Sequence, residues 1–337
     1  MNCAVEDPFG LAADPALPGV AVALDPRYMA RRLAELGGAL AGSTLESIRV
    51  TRHKPGKRCI IEYALRDAAG EGFALLAKLR SNGDAVKGVR VIEAFRRAGF
   101  DESAADGIGV AEPVACFADI GMWLQRKIDG QMASDLMATA GVPTARRIAA
   151  RIAEAACKIH WAGVETRRAH GIDDELRILD VRLGRLAVER RALARRLVRL
   201  LAACARRSAT VPVRRACGIH RDYYADQIIV AGERLYVIDF DLYCLGDPAL
   251  DIGNFIAHVI EQALRQHGRA EALDYVGEAA RERFLQLAGI HLAPAVDLYV
   301  DLTLVRHIHL STLLPARQGT TDALLALCEE RFSPWLV

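Results

Sequence analysis

The segment 217–255, CGIHRDYYADQIIVAGERLYVIDFDLYCLGDPALDIGNF, constrains this chain more than any other. Its apolar runs 227–230 and 235–238 are rich in β-branched residues and flank Ala231-Gly232-Glu233-Arg234, a pattern that predicts a β-hairpin. A loop and a helix are expected after it. A hairpin returns its outer ends to one place. Asp222, just before the first strand, and Asp239, at the end of the second, are therefore expected side by side. Two carboxylates and the Gln227 amide suit a divalent cation that also holds phosphate oxygens, because magnesium keeps few protein ligands and leaves the rest to water and phosphate. A further carboxylate beside it accepts the proton of an attacking hydroxyl, a role worth roughly 10²–10⁴ in rate. Taken singly, these aspartates are ordinary turn residues; their joint spacing is what points to chemistry.

That spacing resembles the aminoglycoside phosphotransferase and choline kinase family, a branch of the protein-kinase-like fold. The resemblance rests on His220-Arg221-Asp222-Tyr223-Tyr224-Ala225-Asp226-Gln227, then Ile238-Asp239-Phe240-Asp241, then Gly246-Asp247-Pro248-Ala249-Leu250-Asp251. It implies that Asp222 is the catalytic base, that Gln227 and Asp239 hold Mg²⁺, and that Asp241 serves the metal or the substrate. His220 and Asp251 would support the catalytic loop. The family pattern has Gly in place of Arg221 and Asn in place of Gln227. Gln is similar to the maltokinase and glucosamine kinase branch, which leans towards a sugar acceptor. Arg221 gives the H-R-D of protein kinases, but so few residues separate Asp241 from Gly246 that no activation segment fits, and no A-P-E follows. A protein substrate is not expected.

Earlier in the chain, segments 45–52, 58–65 and 72–79 have strand periodicity, and 112–117 with 122–128 add two more strands. Lys78 stands in the apolar run Ala74-Leu75-Leu76-Ala77-Lys78-Leu79, where a cation needs a partner. The resemblance implies that Lys78 grips the nucleotide phosphates and pairs with Glu93, the one Glu of a helix expected over about 84–98. It also implies that backbone groups of Arg126 and Ile128 bond adenine, with Gln125 in the gatekeeper-like position. Asp25-Pro26 predicts a helix start, with Met29, Leu33, Leu36 and Leu40 at helical spacing, and residues 1–25 read as an irregular lead-in. Helix 143–161 closes in Ile159-His160, with His160 expected as a packed or hydrogen-bonded residue. Segment 182–207 holds nine arginines and no aromatic residue, and reads as one long helix with a solvated basic face. His307 and His309 lie two apart on a helix, so they diverge and form no metal pair.

The expected class is α/β (α+β), a kinase-like bilobal fold. Residues 1–126 would form a nucleotide-covering lobe with a helix and a five-stranded sheet, and 127–337 a helical lobe carrying the acceptor site. The implied function is transfer of the γ-phosphate of ATP, or of GTP, to a hydroxyl of an aminoglycoside, sugar, amino sugar or amino alcohol. Asp173, Asp174, Glu175, Asp297, Asp301, Glu329 and Glu330 are the acidic candidates for a cationic acceptor. The alternative is a degenerate kinase fold that binds nucleotide or a partner and transfers nothing. Formal net charge is +2, and no apolar run is long enough to span a bilayer, so neither nucleic acid nor membrane is expected as a partner. Eight scattered cysteines without metal-like spacing, and Glu6 and Asp7 in place of a basic start, make the cytoplasm the expected location. Oligomeric state is left open.

Overall fold

The computed structural model describes residues 3–81, 85–212 and 215–336. The chain divides into two compact units, Met1–Gly130 and Gln131–Val337.

The first unit contains β1 (Ala4–Glu6), α1 (Val20–Ala23), α2 (Pro26–Ala34), β2 (Thr44–Lys54), β3 (Arg58–Arg66), β4 (Gly72–Arg80), α3 (Ala85–Phe95), β5 (Ile108–Gly109), β6 (Pro113–Phe117) and β7 (Met122–Arg126). Its main sheet has six strands in the order β1-β2-β3-β4-β7-β6. The sixth strand corrects the expectation of five. β1 lies in the lead-in expected to be irregular, where its three exposed residues give no burial pattern, and it pairs in parallel with β2 through Ala4 and Ser47, Val5 and Ile48, and Glu6 and Arg49. One face of the sheet, with Ile48, Val50, Ile61, Tyr63, Leu75 and Leu124, packs on Val20, Met29 and Leu33 of the first two helices. Asp25 caps α2 by accepting from the amides of Arg27 (2.8 Å) and Tyr28 (3.2 Å), with Pro26 at the first helical position. The helix stops at Ala34, so Leu36 is exposed and does not extend the apolar stripe of Met29 and Leu33. Asp84, part of the expected third helix, lies outside the described residues.

The second unit contains β8 (Gln131–Met132), α4 (Ala133–Thr139), α5 (Val142–Trp161), β9 (Ala169–His170), α6 (Ile172–Glu189), α7 (Ala194–Ser208), β10 (Cys217–Ile219), β11 (Ile228–Ala231), β12 (Arg234–Val237), β13 (Cys244–Gly246), α8 (Ala249–His267), α9 (Asp274–Ala288), α10 (Ala293–Leu313) and α11 (Thr321–Arg331). Helix α5 buries Ile148, Ile152, Ala155, Ala156 and Ile159, the face its spacing predicts. The arginine-rich segment is not one helix. The chain leaves helical geometry at Arg190, so that Leu183 and Leu186 of α6 and Leu197 and Leu200 of α7 are buried on two separate helices. Nor is its basic face merely solvated: Arg196 pairs with Glu329 (2.6 Å), Arg207 with Asp301, and Arg199 and Arg206 donate to the carbonyls of Leu336 and Trp335. Helices α8 and α10 meet where Gly253 faces Tyr299. A Cβ on Gly253 would sit 2.5 Å from the Tyr299 side chain and 2.9 Å from backbone, so a larger residue would force the helices apart. Among the described residues no helix is long and apolar enough to cross a membrane, and the eight cysteines are free thiols.

Candidate active site

The hairpin forms as its sequence predicts. β11 and β12 pair from Ile228 and Val237 to Ala231 and Arg234, leaving a two-residue turn in which Gly232 takes φ +58°, open to glycine at little cost. The ladder runs one step further, since the Ile238 amide donates to the Gln227 carbonyl at 2.9 Å. Gln227 and Asp239 therefore stand together at the open end of the hairpin. The Gln227 side chain is buried and its Nε2 donates towards Asp222 Oδ2 at 3.5 Å, the outer limit of a hydrogen bond. This leaves the amide oxygen as its ligand-capable atom.

Two non-glycine residues among those described have positive φ, and both lie here: Arg221 at 71° and Asp239 at 64°. Such backbone strain persists only where surrounding contacts impose it, and it gathers at functional sites. The contact that imposes it at Arg221 is Asp251. This carboxylate is fully buried in the first turn of α8; its Oδ2 accepts from the His220 amide at 2.8 Å and its Oδ1 from the Arg221 amide at 2.7 Å. His160 at the end of α5 places Nε2 3.0 Å from Asp251 Oδ2. Three donors from two other elements thus converge on Asp251, more than a favourable place in the first turn of a helix would require. Asp247 caps the helix, its Oδ1 accepting from the Ala249 amide at 2.9 Å.

The rest of the loop is held with equal economy of space. His220 is fully buried, with Nε2 2.9 Å from the Ile238 carbonyl and its ring against Phe240. Tyr223 donates its hydroxyl to the Ile152 carbonyl at 2.7 Å, and its own carbonyl accepts from Asn254 Nδ2 at 3.0 Å. Burial and nearby carboxylate charge hold the Tyr223 phenol well above its ordinary pKa. Asn254, which sequence reasoning did not single out, is the second buried residue of α8 that organises the loop. Its signal was a polar residue in an otherwise apolar helix face.

Asp222, Gln227 and Asp239 offer oxygen ligands only, the donor set that suits a hard cation such as Mg²⁺. Among the described residues there is no group of three His, Cys, Asp or Glu placed to hold a metal. The set here has two carboxylates and an amide, so it depends on phosphate and water for the remaining positions. Asp241 belongs to the turn after Asp239, and its carbonyl accepts from Arg168 Nη1 at 2.7 Å.

In the first unit, Lys78 lies on β4 between Ile60 and Trp123, its ammonium 5.6 Å from the centre of the Trp123 ring. Glu93 is half exposed on α3 and stands 4.0 Å from Arg97, one turn away on the same helix run. At the end of β7, the Arg126 amide is spent on the Glu112 carbonyl (2.8 Å) and that of Lys127 on Ala74 (2.9 Å). Among the described residues the Ile128 amide donates to no backbone carbonyl.

A cavity of about 480 Å³ lies within the second unit, lined among others by His170, Asp173, Ser208, Leu245, Asp247 and Tyr299. No residue between 217 and 241 lines it, so it is separate from the catalytic loop.

A sheet unit carrying a lysine, and a helical unit whose hairpin presents Asp222, Gln227 and Asp239, define a protein-kinase-like phosphotransferase fold. The model of the phosphotransferase enzyme family (APH) matches residues 64–288, well over half of the chain, and the chain belongs to that family. No curated protein matches it by sequence. Solved structures similar to it include the aminoglycoside phosphotransferase APH(4)-Ia, at 14% identity over 95% of this chain and 98% of that one, TM-score 0.56. A choline/ethanolamine kinase family protein from Mesorhizobium loti is 15% identical over 92% of this chain and 97% of that one, TM-score 0.55. An ethanolamine kinase from Plasmodium vivax is 12% identical over 92% and 88%, TM-score 0.52. At these identities the likeness is one of fold.

Proposed function

We propose that this protein transfers the γ-phosphoryl group of Mg²⁺-bound ATP, or of GTP, to a hydroxyl of a small molecule. The acceptor oxygen bonds to the γ-phosphorus, the bond to the bridging oxygen breaks with its electrons on the departing diphosphate, and the hydroxyl proton passes to Asp222. Gln227 and Asp239 are the metal-holding residues, Asp241 assists the metal or faces the acceptor, and His220 and Asp251 keep the loop in place. Lys78 takes the nucleotide phosphates, and the Arg126 carbonyl and Ile128 amide take adenine. The observation that carries this reading is the Asp251 clamp, which fixes the strained Arg221 backbone and with it the direction of Asp222. Catalysis of this kind is chiefly positioning and charge neutralisation. Solved complexes of the similar aminoglycoside phosphotransferase contain ADP or AMP-PNP with hygromycin B, which supports nucleotide use here. Free thiols throughout suit a reducing compartment, and we place the protein in the cytoplasm.

Calorimetric titration of ATP with and without Mg²⁺ tests the metal site. Asp239→Ala is expected to abolish the Mg²⁺-dependent part of binding. Asp222→Asn should keep nucleotide binding and lose ADP release by roughly 10²–10⁴. Full turnover by either variant would sink the assignment. Gln227, where the family pattern has Asn, is the ground for a second reading, a fold that binds nucleotide without transfer. It predicts Mg²⁺-dependent binding with no acceptor-dependent ADP release.

A further inference from the structure

Beside the catalytic loop, the charges of three arginines, Arg306, Arg182 and Arg221, gather around one carboxylate that only Arg306 contacts. Glu175 of α6 is buried, with Oε1 2.5 Å from His170 Nε2 and Oε2 3.3 Å from Arg306 Nη1. Arg306, on α10, also donates to the Oδ1 of Asn254, the residue that holds the Tyr223 carbonyl. Arg182 is two turns after Glu175 on α6, separated from it by the buried Leu179, and so shares its helix face. Among the described residues Arg182 makes no hydrogen bond or ion pair, and neither does the side chain of Arg221, although both are only partly exposed. Burial lowers the pKa of Arg182, the charges of Arg306 and Arg221 lower it further, and Glu175 offsets this only in part. For Glu175, burial opposes ionisation, but the His170 hydrogen bond and the Arg306 charge outweigh it and keep the carboxyl below its usual range. Arg168, bonded to the Asp241 carbonyl, acts with Arg221 on the buried Cys244 thiol and adds to the same positive field.

Of the seven acidic side chains that a cationic acceptor would want, Glu175 and four others are already engaged. Asp174 accepts from Gly171 and Arg177, Asp297 from Arg281, Asp301 from Arg207 and Arg331, and Glu329 from Arg196. A partly buried, unpaired guanidinium is costly, and such groups are retained where a ligand pairs with them.

Resting on the phosphotransferase reading above, we infer that the acceptor carries an anionic oxygen group, a carboxylate or a phosphate ester, besides its hydroxyl. Arg182 and Arg221, backed by Arg306, receive that group and so bring the hydroxyl to Asp222. The planar fork of arginine suits both anions, through paired N–H donors. Arg221 joins the two tasks, since its backbone is fixed by Asp251 and it directly precedes Asp222.

Two experiments separate this inference from the reading on which it rests. The first follows ADP release with two sets of related acceptors: glycerol, ethanolamine, glycerate and glycerol 3-phosphate, and glucose, glucosamine, glucuronate and glucose 6-phosphate. Turnover is expected for anionic members only; the carboxylate and phosphate arms show which anion is preferred. Arg182→Gln should raise KM for the active acceptor tenfold or more, with a smaller change in kcat. Comparable turnover of neutral or cationic members overturns the inference while upholding phosphoryl transfer. The second needs no catalysis: thermal unfolding in sulfate and in chloride at equal ionic strength. Sulfate is expected to stabilise the wild type more than Arg182→Gln, beyond the general salting-out effect that both share, and Arg182→Gln should be more stable than wild type in chloride. A structural role for Arg182 predicts a less stable variant, and that result would overturn the inference. If sulfate stabilises through Arg182 but no acceptor is phosphorylated, the anion site stands and the transfer reading falls.

Discussion

The two flanks of the catalytic loop are built on different principles. On one flank, Asp251 receives the amides of His220 and Arg221 and the imidazole of His160 within 3.0 Å, and Asn254 holds Tyr223. On the other, Tyr224 stacks on His258 with ring centres 4.3 Å apart, and His258 meets the edge of His307 at 4.5 Å. Both ring nitrogens of His307 are buried without a hydrogen-bond partner. Directional bonds thus fix where Asp222 points, while non-directional ring packing supports the loop from behind. A site that works by positioning needs the first kind of contact at the reacting group, and can tolerate the second elsewhere.

The largest effect should come from breaking the bonded flank. Asp251→Ala leaves three donors without their buried acceptor and frees Arg221 from left-handed backbone geometry. A loss of about 3–5 kcal/mol in unfolding free energy is expected, as for other broken buried ion pairs and networks. Denaturant unfolding checks it. Asp251→Asn, which keeps one carbonyl oxygen, should fall between. Equal stability of Asp251→Ala and wild type would show that the clamp is incidental.

The stacked flank predicts a pH dependence. Burial first, and neighbouring arginine charge second, pull His307 from 6.5 down to about 3; burial, then the charges of His307 and nearby arginines, hold His258 well below its ordinary value. Both rings stay neutral in the folded protein while those of the unfolded chain take up protons near 6.5. The unfolded state therefore binds more protons across that window. This contribution to stability is fully present above 6.5 and is lost as pH falls towards 3, at up to about 1.4 kcal/mol per pH unit for each ring. His307→Leu should remove its share of the slope and leave that of His258. Unfolding midpoints at about pH 7 and pH 5 would show this as a smaller difference in the variant than in the wild type.

The bonded flank was far more legible in the sequence than the stacked one. His220, Asp222, Gln227, Asp239 and Asp251 sit at fixed spacings within one continuous segment, and a hairpin turns such spacing directly into geometry. Asn254, Arg306 and Glu175 come from α8, α10 and α6. Their meeting depends on a close helix crossing at Gly253 that no local pattern announces. For His160 the sequence allows a packed or a hydrogen-bonded residue without naming a partner, and the structure supplies Asp251. The break at Arg190 was missed because arginine and leucine continue at helical spacing through it, and only burial on two separate helices separates α6 from α7. The Lys78 and Glu93 pairing was implied by resemblance rather than by the residues themselves, whereas the contact of Glu93 with Arg97 follows from their spacing of one helical turn.

The smallest effect is also the finest test of the contrast between the flanks. Tyr224→Leu removes the stack on His258 but leaves the Tyr224 backbone carbonyl, which accepts from the Gln227 amide at 2.9 Å. Loss of one aromatic pair is worth about 0.5–1.5 kcal/mol beyond area, so the melting temperature should fall slightly. Turnover should stay within about threefold of wild type, because less than 0.7 kcal/mol of transition-state stabilisation would then depend on the ring. Measuring both quantities on one preparation decides between two pictures. A small stability loss with unchanged kcat means that hydrogen bonds alone orient Asp222 and that the rings only fill space. A kcat loss of tenfold or more at the same small stability cost means that the rings hold the loop in register, and that orientation is shared between the two flanks.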